Sequence, residues 1–252
     1  MTMSIPRPEY DPDNFAEGPR RDKRFEVKDQ WVDCLNYPEG DPRREIEFFH
    51  RQMNEEVNGM ECAARTLSDF PDAEWEIRLK IARQCYDEAR HVEMYRRVYL
   101  QRGGTIGQSP VMNFQYRIIT NIPDLCGRLA VQNRSFEAEG IDAIEPEIDS
   151  AQTRADTMLS ELYDAQLADE ICHVRFANDY LATRAVQEPA SVMRVGKALN
   201  YAGKAFLQVM GQHAIDSVKY TVNRNGRLDA GFTSDEVDTI STYRSSRRPA
   251  TK

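Results

Sequence analysis

The chain has 252 residues, of which 40% are hydrophobic and 29% are charged, and its formal net charge is -8. This composition suits a folded domain with a sizeable core and excludes the collagen-like and disulfide-rich classes. Because nucleic-acid binding needs a basic face, the acidic balance disfavours a nucleic-acid partner. The five cysteines are dispersed and no apolar segment opens the chain, so we expect a cytoplasmic protein without a membrane partner.

The chain divides into three predicted parts. Residues 1–43 hold six of the twelve prolines and predict an extended N-terminal arm, which lies on the body or on a second subunit of a homodimer. Residues 44–187 predict four long helices, and residues 188–252 predict further C-terminal helices and a tail. Strict alternation of apolar and polar residues never persists, so the sequence predicts an all-α fold.

Prolines, glycines and capping residues mark the expected ends of the helices. In chain order, the expected helices span about residues 41–70, 73–101, 110–123, 124–144, 151–186, 190–209 and 213–223. Glu145 and Pro146 are expected to end the 124–144 helix because an interior proline removes a helix hydrogen bond. Thr233 and Glu236 form a capping box that predicts a last short helix.

Two of the four histidines occupy the same local setting. One segment reads QCYDEARHV from residue 84 to 92, the other reads QLADEICHV from residue 166 to 174, and five of the nine positions are identical. Each segment contains Glu-x-x-His, and residues three apart share one face of a helix, so both side chains can bind one ion. The pairs are Glu88 with His91 and Glu170 with His173.

Each pair also has a glutamate upstream at a nearly equal distance. Glu56 lies 32 residues before Glu88, and Glu137 lies 33 residues before Glu170. Two helical hairpins that face each other would therefore bring together four carboxylates and two imidazoles, the ligand set of di-iron and di-manganese carboxylate bundles. Four buried carboxylates repel one another unless cations are present. The predicted metal ligands are Glu56, Glu88, His91, Glu137, Glu170 and His173.

The remaining residues of the repeat predict support for these ligands. Asp87 and Asp169 are candidate acceptors for the imidazole N–H groups across the bundle, and their alternative role is that of solvated acids. Gln84 and Gln166 lie one turn before the glutamate ligands and are expected to form hydrogen bonds in the cavity.

Two questions stay open in the same segments: the role of two glycines, and which of several neighbouring glutamates are the ligands. Gly59 and Gly140 each follow an upstream glutamate within one turn, and they either leave space above the metals or allow close helix packing. Glu55, Glu61 and Glu139 compete with the upstream glutamates as ligands, and the symmetry of the repeat favours Glu56 and Glu137. A duplicated hairpin with solvated acids and core histidines is the structural alternative to a metal site.

These segments resemble the ferritin-like superfamily. DEARH at residues 87–91 is similar to the signature of bacterial di-iron monooxygenase hydroxylases. The chain resembles more closely an uncharacterised ferritin-like family with H-E-L-x-A-x-E-L followed by F-P, then R-x-x-E-A-x-G-L-D, then D-E-x-x-H-V. The counterparts here are EEVNGMEC with Phe70–Pro71, RSFEAEGID and DEICHV, and Glu55 stands where that family has histidine. Over residues 45–185, the resemblance implies a four-helix bundle with a dinuclear metal centre.

Several functions fit such a centre. The first is a non-haem di-iron oxidase or monooxygenase, an oxidoreductase that uses O₂ to oxidise a small organic substrate and, if a monooxygenase, needs an electron donor. Its expected cofactor is two iron ions, and manganese or a mixed Fe/Mn pair fits the same ligands. The second is a ferroxidase, an iron-storage protein or a manganese-catalase-like protein. The third is a tRNA-hydroxylase-like enzyme, which the net charge of -8 disfavours, and a non-catalytic interaction bundle is the last alternative.

Overall fold

The computed structural model describes residues 6–19, 22–34, 37–38, 40–216 and 221–246. Helices dominate these residues, which confirms the predicted all-α fold, and none of the described helices is long and apolar enough to cross a membrane. A π-helical segment spans Gln132–Glu137. The helices are α1 (Pro42–Asp69), α2 (Trp75–Gln101), α3 (Phe114–Thr120), α4 (Leu125–Val131), α5 (Ala138–Thr153), α6 (Thr157–Gln187), α7 (Ala190–Met210), α8 (His213–Asp216), α9 (Arg224–Asp229) and α10 (Ser234–Ser246).

Two helical hairpins form the centre of the molecule. α1 packs along α2, α5 packs along α6, and the two hairpins meet where α2 contacts α6. Asp41 caps the N-terminus of α1. Its side chain accepts a hydrogen bond from the Arg43 N–H at 2.9 Å and so satisfies a donor of the first turn. The buried side chains of Phe49, Tyr95 and Leu162 belong to one core cluster that spans both hairpins. This packing sets the two helices that carry the sequence repeat side by side.

The helix predicted at residues 124–144 differs from the structure both in its middle and at its end. It is divided into α4, the π-helical segment and α5, and α5 continues through Pro146 to Thr153, so the predicted end at Glu145–Pro146 is wrong. Pro146 lies on the exposed face of α5, while Ile144 and Ala151 continue the buried face on either side of it. Burial of this face offsets the one helix hydrogen bond that the proline removes.

The boundaries after α5 also differ from the predicted ones. The fourth long helix begins at Thr157 rather than near residue 151, because the chain turns at Ala155, which has a positive φ of 54°. Asp156 then caps α6 by accepting a hydrogen bond from the Leu159 N–H at 3.1 Å.

The C-terminal helices agree with the prediction only in part. Of the helix expected at 213–223, residues 213–216 form α8, residues 221–223 are not helical, and residues 217–220 lie outside the described part. α9 was not predicted. The capping box is confirmed, since the Glu236 N–H donates to the Thr233 hydroxyl at 3.3 Å and the Thr233 N–H donates to the Glu236 carboxylate at 2.9 Å.

The described part of the N-terminal arm lies on the helical body. A short strand, β1 (Val27–Lys28), pairs in parallel with β2 (Val111–Met112), just before α3. Two 3₁₀ turns, Pro12–Asn14 and Trp31–Asp33, flank this strand. Phe15 and Trp31 are buried in a core cluster that includes residues of α3 and α7. The arm is therefore ordered by burying aromatic side chains against the body.

Candidate metal centre

All six predicted ligands come together between the two hairpins. α1 contributes one glutamate, the last residue of the π-helical segment contributes another, and α2 and α6 each contribute a glutamate and a histidine one turn apart. Five of the six residues are buried, and Glu137 is nearly so. The residues are Glu56, Glu88, His91, Glu137, Glu170 and His173.

One half of the cluster surrounds the imidazole of His91. Its Nδ1 atom lies 3.3 Å from a carboxylate oxygen of Glu56, 3.3 Å from one of Glu88 and 3.9 Å from one of Glu170. One ligand atom from each of these four residues lies within 4.8 Å of every other. The four groups therefore form a compact cage for a cation.

The other half is built in the same way around His173. Its Nδ1 atom lies 3.6 Å from Glu137, 3.7 Å from Glu88 and 3.7 Å from Glu170. Glu88 and Glu170 thus face both imidazoles, whose ring centroids are 6.3 Å apart. The carboxylates of Glu88 and Glu170 therefore stand between the two imidazoles.

Three buried polar atoms of the cluster lack hydrogen-bond partners among the described residues, as expected for atoms that bind a metal ion. Both imidazole Nδ1 atoms and one carboxylate oxygen of Glu170 are buried, and the described residues give them no hydrogen-bond partner. Unpaired buried polar atoms are costly and rare in folded proteins. Three such atoms that face a set of carboxylates match the nitrogen and oxygen ligands of a metal site. The donor set therefore could hold a metal ion.

Asp87 and Asp169 each form a hydrogen bond to a histidine of the opposite hairpin, as the sequence suggested. The Nε2–H of His91 donates to Asp169 at 3.0 Å, and the Nε2–H of His173 donates to Asp87 at 3.3 Å. Each aspartate therefore holds the histidine of the opposite helix. With Nε2 used in this way, Nδ1 is the nitrogen that each imidazole presents to the metal position.

The two glutamines of the repeat also have equivalent partners. Gln166 donates to Glu56 at 2.9 Å, and Gln84 donates to Glu137. Each glutamine therefore orients the upstream glutamate of one half. The Tyr95 hydroxyl donates to the carbonyl oxygen of Gln166 at 2.9 Å, which sets the direction of that amide.

Gly59 and Gly140 have different roles in spite of their equivalent positions. A Cβ atom at Gly59 would lie 3.0 Å from the carboxylate carbon of Glu88, so this glycine makes room for a predicted ligand. A Cβ atom at Gly140 would meet nothing within 4 Å. Gly140 faces a cavity of about 130 Å³ that reaches the carboxylates of Glu56 and Glu137.

The electrostatic environment of the cluster shifts several pKa values. Burial, followed by repulsion from neighbouring glutamates, raises the pKa of Glu56 to about 8, although His91 opposes the shift. Burial also raises the pKa of Glu137 well above its usual range. For His91, burial alone would lower the pKa, but the nearby carboxylates of Asp169, Glu56 and Glu88 outweigh burial and raise the pKa. Burial thus penalises the charged forms of Glu56 and Glu137, and a bound cation would offset that penalty.

Sequence reasoning missed several residues that support the site. Asn133, in the π-helical segment, donates to Gln84 at 2.9 Å and to Glu137 at 3.2 Å. Arg83 and Arg90 form ion pairs with the two aspartates. The position of Arg83, four residues before Asp87, is a signal that the sequence contains. The contacts of Asn133 with Gln84 and of Arg90 with Asp169 cross between helices and carry no such signal.

Comparisons with known proteins place this chain in a family. A relative from Haemophilus influenzae, described as "Uncharacterized protein", is 28% identical over 117 residues, which are 46% of this chain and 37% of that protein. The match thus spans little more than a third of that relative. No solved structure matches the chain. A family model matches residues 3–238, almost the whole length. The chain therefore belongs to the family described as "Protein of unknown function (DUF455)".

Proposed function

We propose that this protein is a ferritin-like dinuclear iron oxidoreductase that uses O₂ to oxidise a small organic substrate. The observation that carries the proposal is the pair of buried Nδ1 atoms of His91 and His173, which face four carboxylates and have no hydrogen-bond partner among the described residues. Histidine and carboxylate ligands together suit redox-active iron. The charge of the four carboxylates also requires cations, because buried like charges repel strongly.

The six proposed ligands would form two sets, one for each metal ion, and two glutamates would belong to both sets. Glu56 and His91 would hold one ion, and Glu137 and His173 would hold the other. Glu88 and Glu170, which face both imidazoles, would serve both ions. Two bound iron ions would supply the electrons that activate O₂.

The cavity beside the carboxylates supports a small organic substrate. Its volume of about 130 Å³ is that of a few water molecules, each of which occupies about 30 Å³ in the liquid. Apolar side chains such as Ile119, Phe136 and Ile144 line one part, and the carboxamides of Gln52 and Gln115 line another. The apolar part would exclude water from the reacting atoms, while the amides would orient a polar group of the substrate.

O₂ consumption by the iron-loaded protein tests this proposal. The protein is loaded with Fe²⁺ without oxygen, freed of excess metal and mixed with O₂, a chemical reductant and a panel of small alcohols, amines and hydrocarbons. We expect O₂ uptake that a member of the panel stimulates and a matching oxidised product. Uptake that instead follows added Fe²⁺ would identify a ferroxidase, and O₂ release from hydrogen peroxide by the manganese-loaded protein would identify a catalase. Either result would contradict substrate oxidation.

A further inference from the structure

Two arginines of α2 lie directly outside the candidate metal centre. The Arg83 Nε–H donates to both carboxylate oxygens of Asp87 at 2.8 Å, and Arg90 donates to Asp169. The arginine side chains are 65% and 40% exposed, whereas the two aspartate side chains are 3% and 14% exposed. Each arginine thus connects solvent to a carboxylate that is itself almost buried.

The contacts continue inward to the histidines. Asp87 accepts from Nε2 of His173, and Asp169 accepts from Nε2 of His91. Two parallel series therefore run from solvent to the centre, each in the order arginine, aspartate, imidazole.

The arginines break the symmetry of the sequence repeat. The repeat places residue 88 opposite residue 170, so the counterparts of Arg83 and Arg90 on α6 are Ala165 and Cys172. α2 therefore supplies the outer cation for both histidines, including the one on its own helix, through an aspartate of α6. Duplication of a hairpin does not account for this pattern, because α6 contributes no equivalent arginine at either position.

The charges of the centre give these arginines a physical role. In a metal-bound centre the four glutamates and two aspartates would carry six negative charges, and two divalent ions with neutral imidazoles would balance only four of them. The two guanidinium groups balance the remaining pair. A buried carboxylate that loses one partner of this kind turns away from its remaining partner, because an unpaired buried charge is costly.

We propose that Arg83 and Arg90 are positioning residues that hold the carboxylates of Asp87 and Asp169 in place as hydrogen-bond acceptors and thereby set the metal affinity of His173 and His91, respectively. The inference rests on the metal centre of the proposed function. An imidazole that donates its N–H to a carboxylate is a stronger metal ligand, and loss of such an outer partner costs about 10–100-fold in metal affinity or activity. Because each arginine acts on one histidine, the two arginines govern different metal positions.

Mn²⁺ binding by equilibrium dialysis tests the inference without any oxygen chemistry. We expect Arg83→Gln and Arg90→Gln each to weaken one of the two binding steps about 10-fold. Arg96→Gln and Arg97→Gln are matched controls, since these arginines lie on the same helix and pair with the exposed Glu93. Arg83→Lys, which keeps the charge, should recover part of the loss.

A double variant separates this role from a merely structural one. If Arg83 acts through Asp87, the variant Arg83→Gln with Asp87→Asn binds Mn²⁺ no more weakly than Asp87→Asn alone. Additive losses, or glutamine variants of Arg83 and Arg90 that bind as the Arg97→Gln control does, would overturn the inference. Failure of the parent to bind Mn²⁺ would instead contradict the metal centre, whereas normal binding without O₂ consumption would contradict only the oxidase.

Discussion

Replacement of Gly59 by alanine should weaken metal binding although it raises the helix propensity of α1. The new Cβ atom would lie 3.0 Å from the carboxylate carbon of Glu88 and 3.2 Å from both of its oxygens. Ordinary van der Waals contact begins at 3.4 Å, so the carboxylate must move by about 0.4 Å. Metal–ligand distances tolerate about 0.2 Å, and Glu88 faces both imidazoles. We therefore expect both Mn²⁺ binding steps to weaken by about 10-fold or more.

Gly140→Ala is the matched control for this substitution. It also replaces a mid-helix glycine next to the site, but its Cβ atom would meet nothing within 4 Å. Both substitutions gain about 0.5–1 kcal/mol of helix propensity, so the metal-free Gly140→Ala protein should unfold at a higher temperature than the parent. Its Mn²⁺ binding should equal that of the parent in equilibrium dialysis. Equal binding by Gly59→Ala and Gly140→Ala would refute the placement of the Glu88 carboxylate as a shared ligand.

Four further predictions follow from the same contacts. His91→Ala and His173→Ala should each lower the measured metal content, whereas His50→Gln, outside the cluster, should leave it unchanged. Asp87→Asn and Asp169→Asn should weaken Mn²⁺ binding about 10–100-fold, and unchanged dialysis isotherms would remove both aspartates from the site. Mn²⁺ at a hundredfold excess over Kd should stabilise the fold by about 2.7 kcal/mol in thermal melts against chelated protein, and identical melts would argue against the site. Burial lowers the pKa of His50 to about 4 from 6.5, so the unfolded chain binds that proton first as pH falls. The metal-free protein should therefore lose about 2 kcal/mol of stability from this group between pH 6.5 and pH 4 in urea titrations, a loss absent from His50→Gln.

The sequence predicted the cluster because helical geometry links spacing to position. Glu88 with His91, and Glu170 with His173, lie three residues apart, and that spacing places both side chains on one helix face. The structure brings these pairs together with the upstream glutamates, as the repeat suggested. The direction of the aspartate contacts was also predictable, because a carboxylate four residues before a histidine lies on the same face and reaches the opposite helix.

Features that depend on tertiary packing could not be predicted in the same way. The proline at residue 146 is a strong local stop signal, yet Ile144 and Ala151 bury the opposite face of α5 and the helix continues. The π-helical segment has no propensity signal of its own, and its residue Asn133 is held by Gln84 of another helix. Such contacts join residues distant in the chain, so a local pattern does not reveal them.

The number of iron ions bound per chain tests the central claim most directly. The protein is loaded with Fe²⁺ without oxygen, passed through a desalting column and measured for iron and protein together. Four carboxylates surround the two imidazoles, and Glu88 and Glu170 face both of them. This arrangement predicts two iron ions per chain. A value at or below one ion per chain in folded protein would contradict a dinuclear centre.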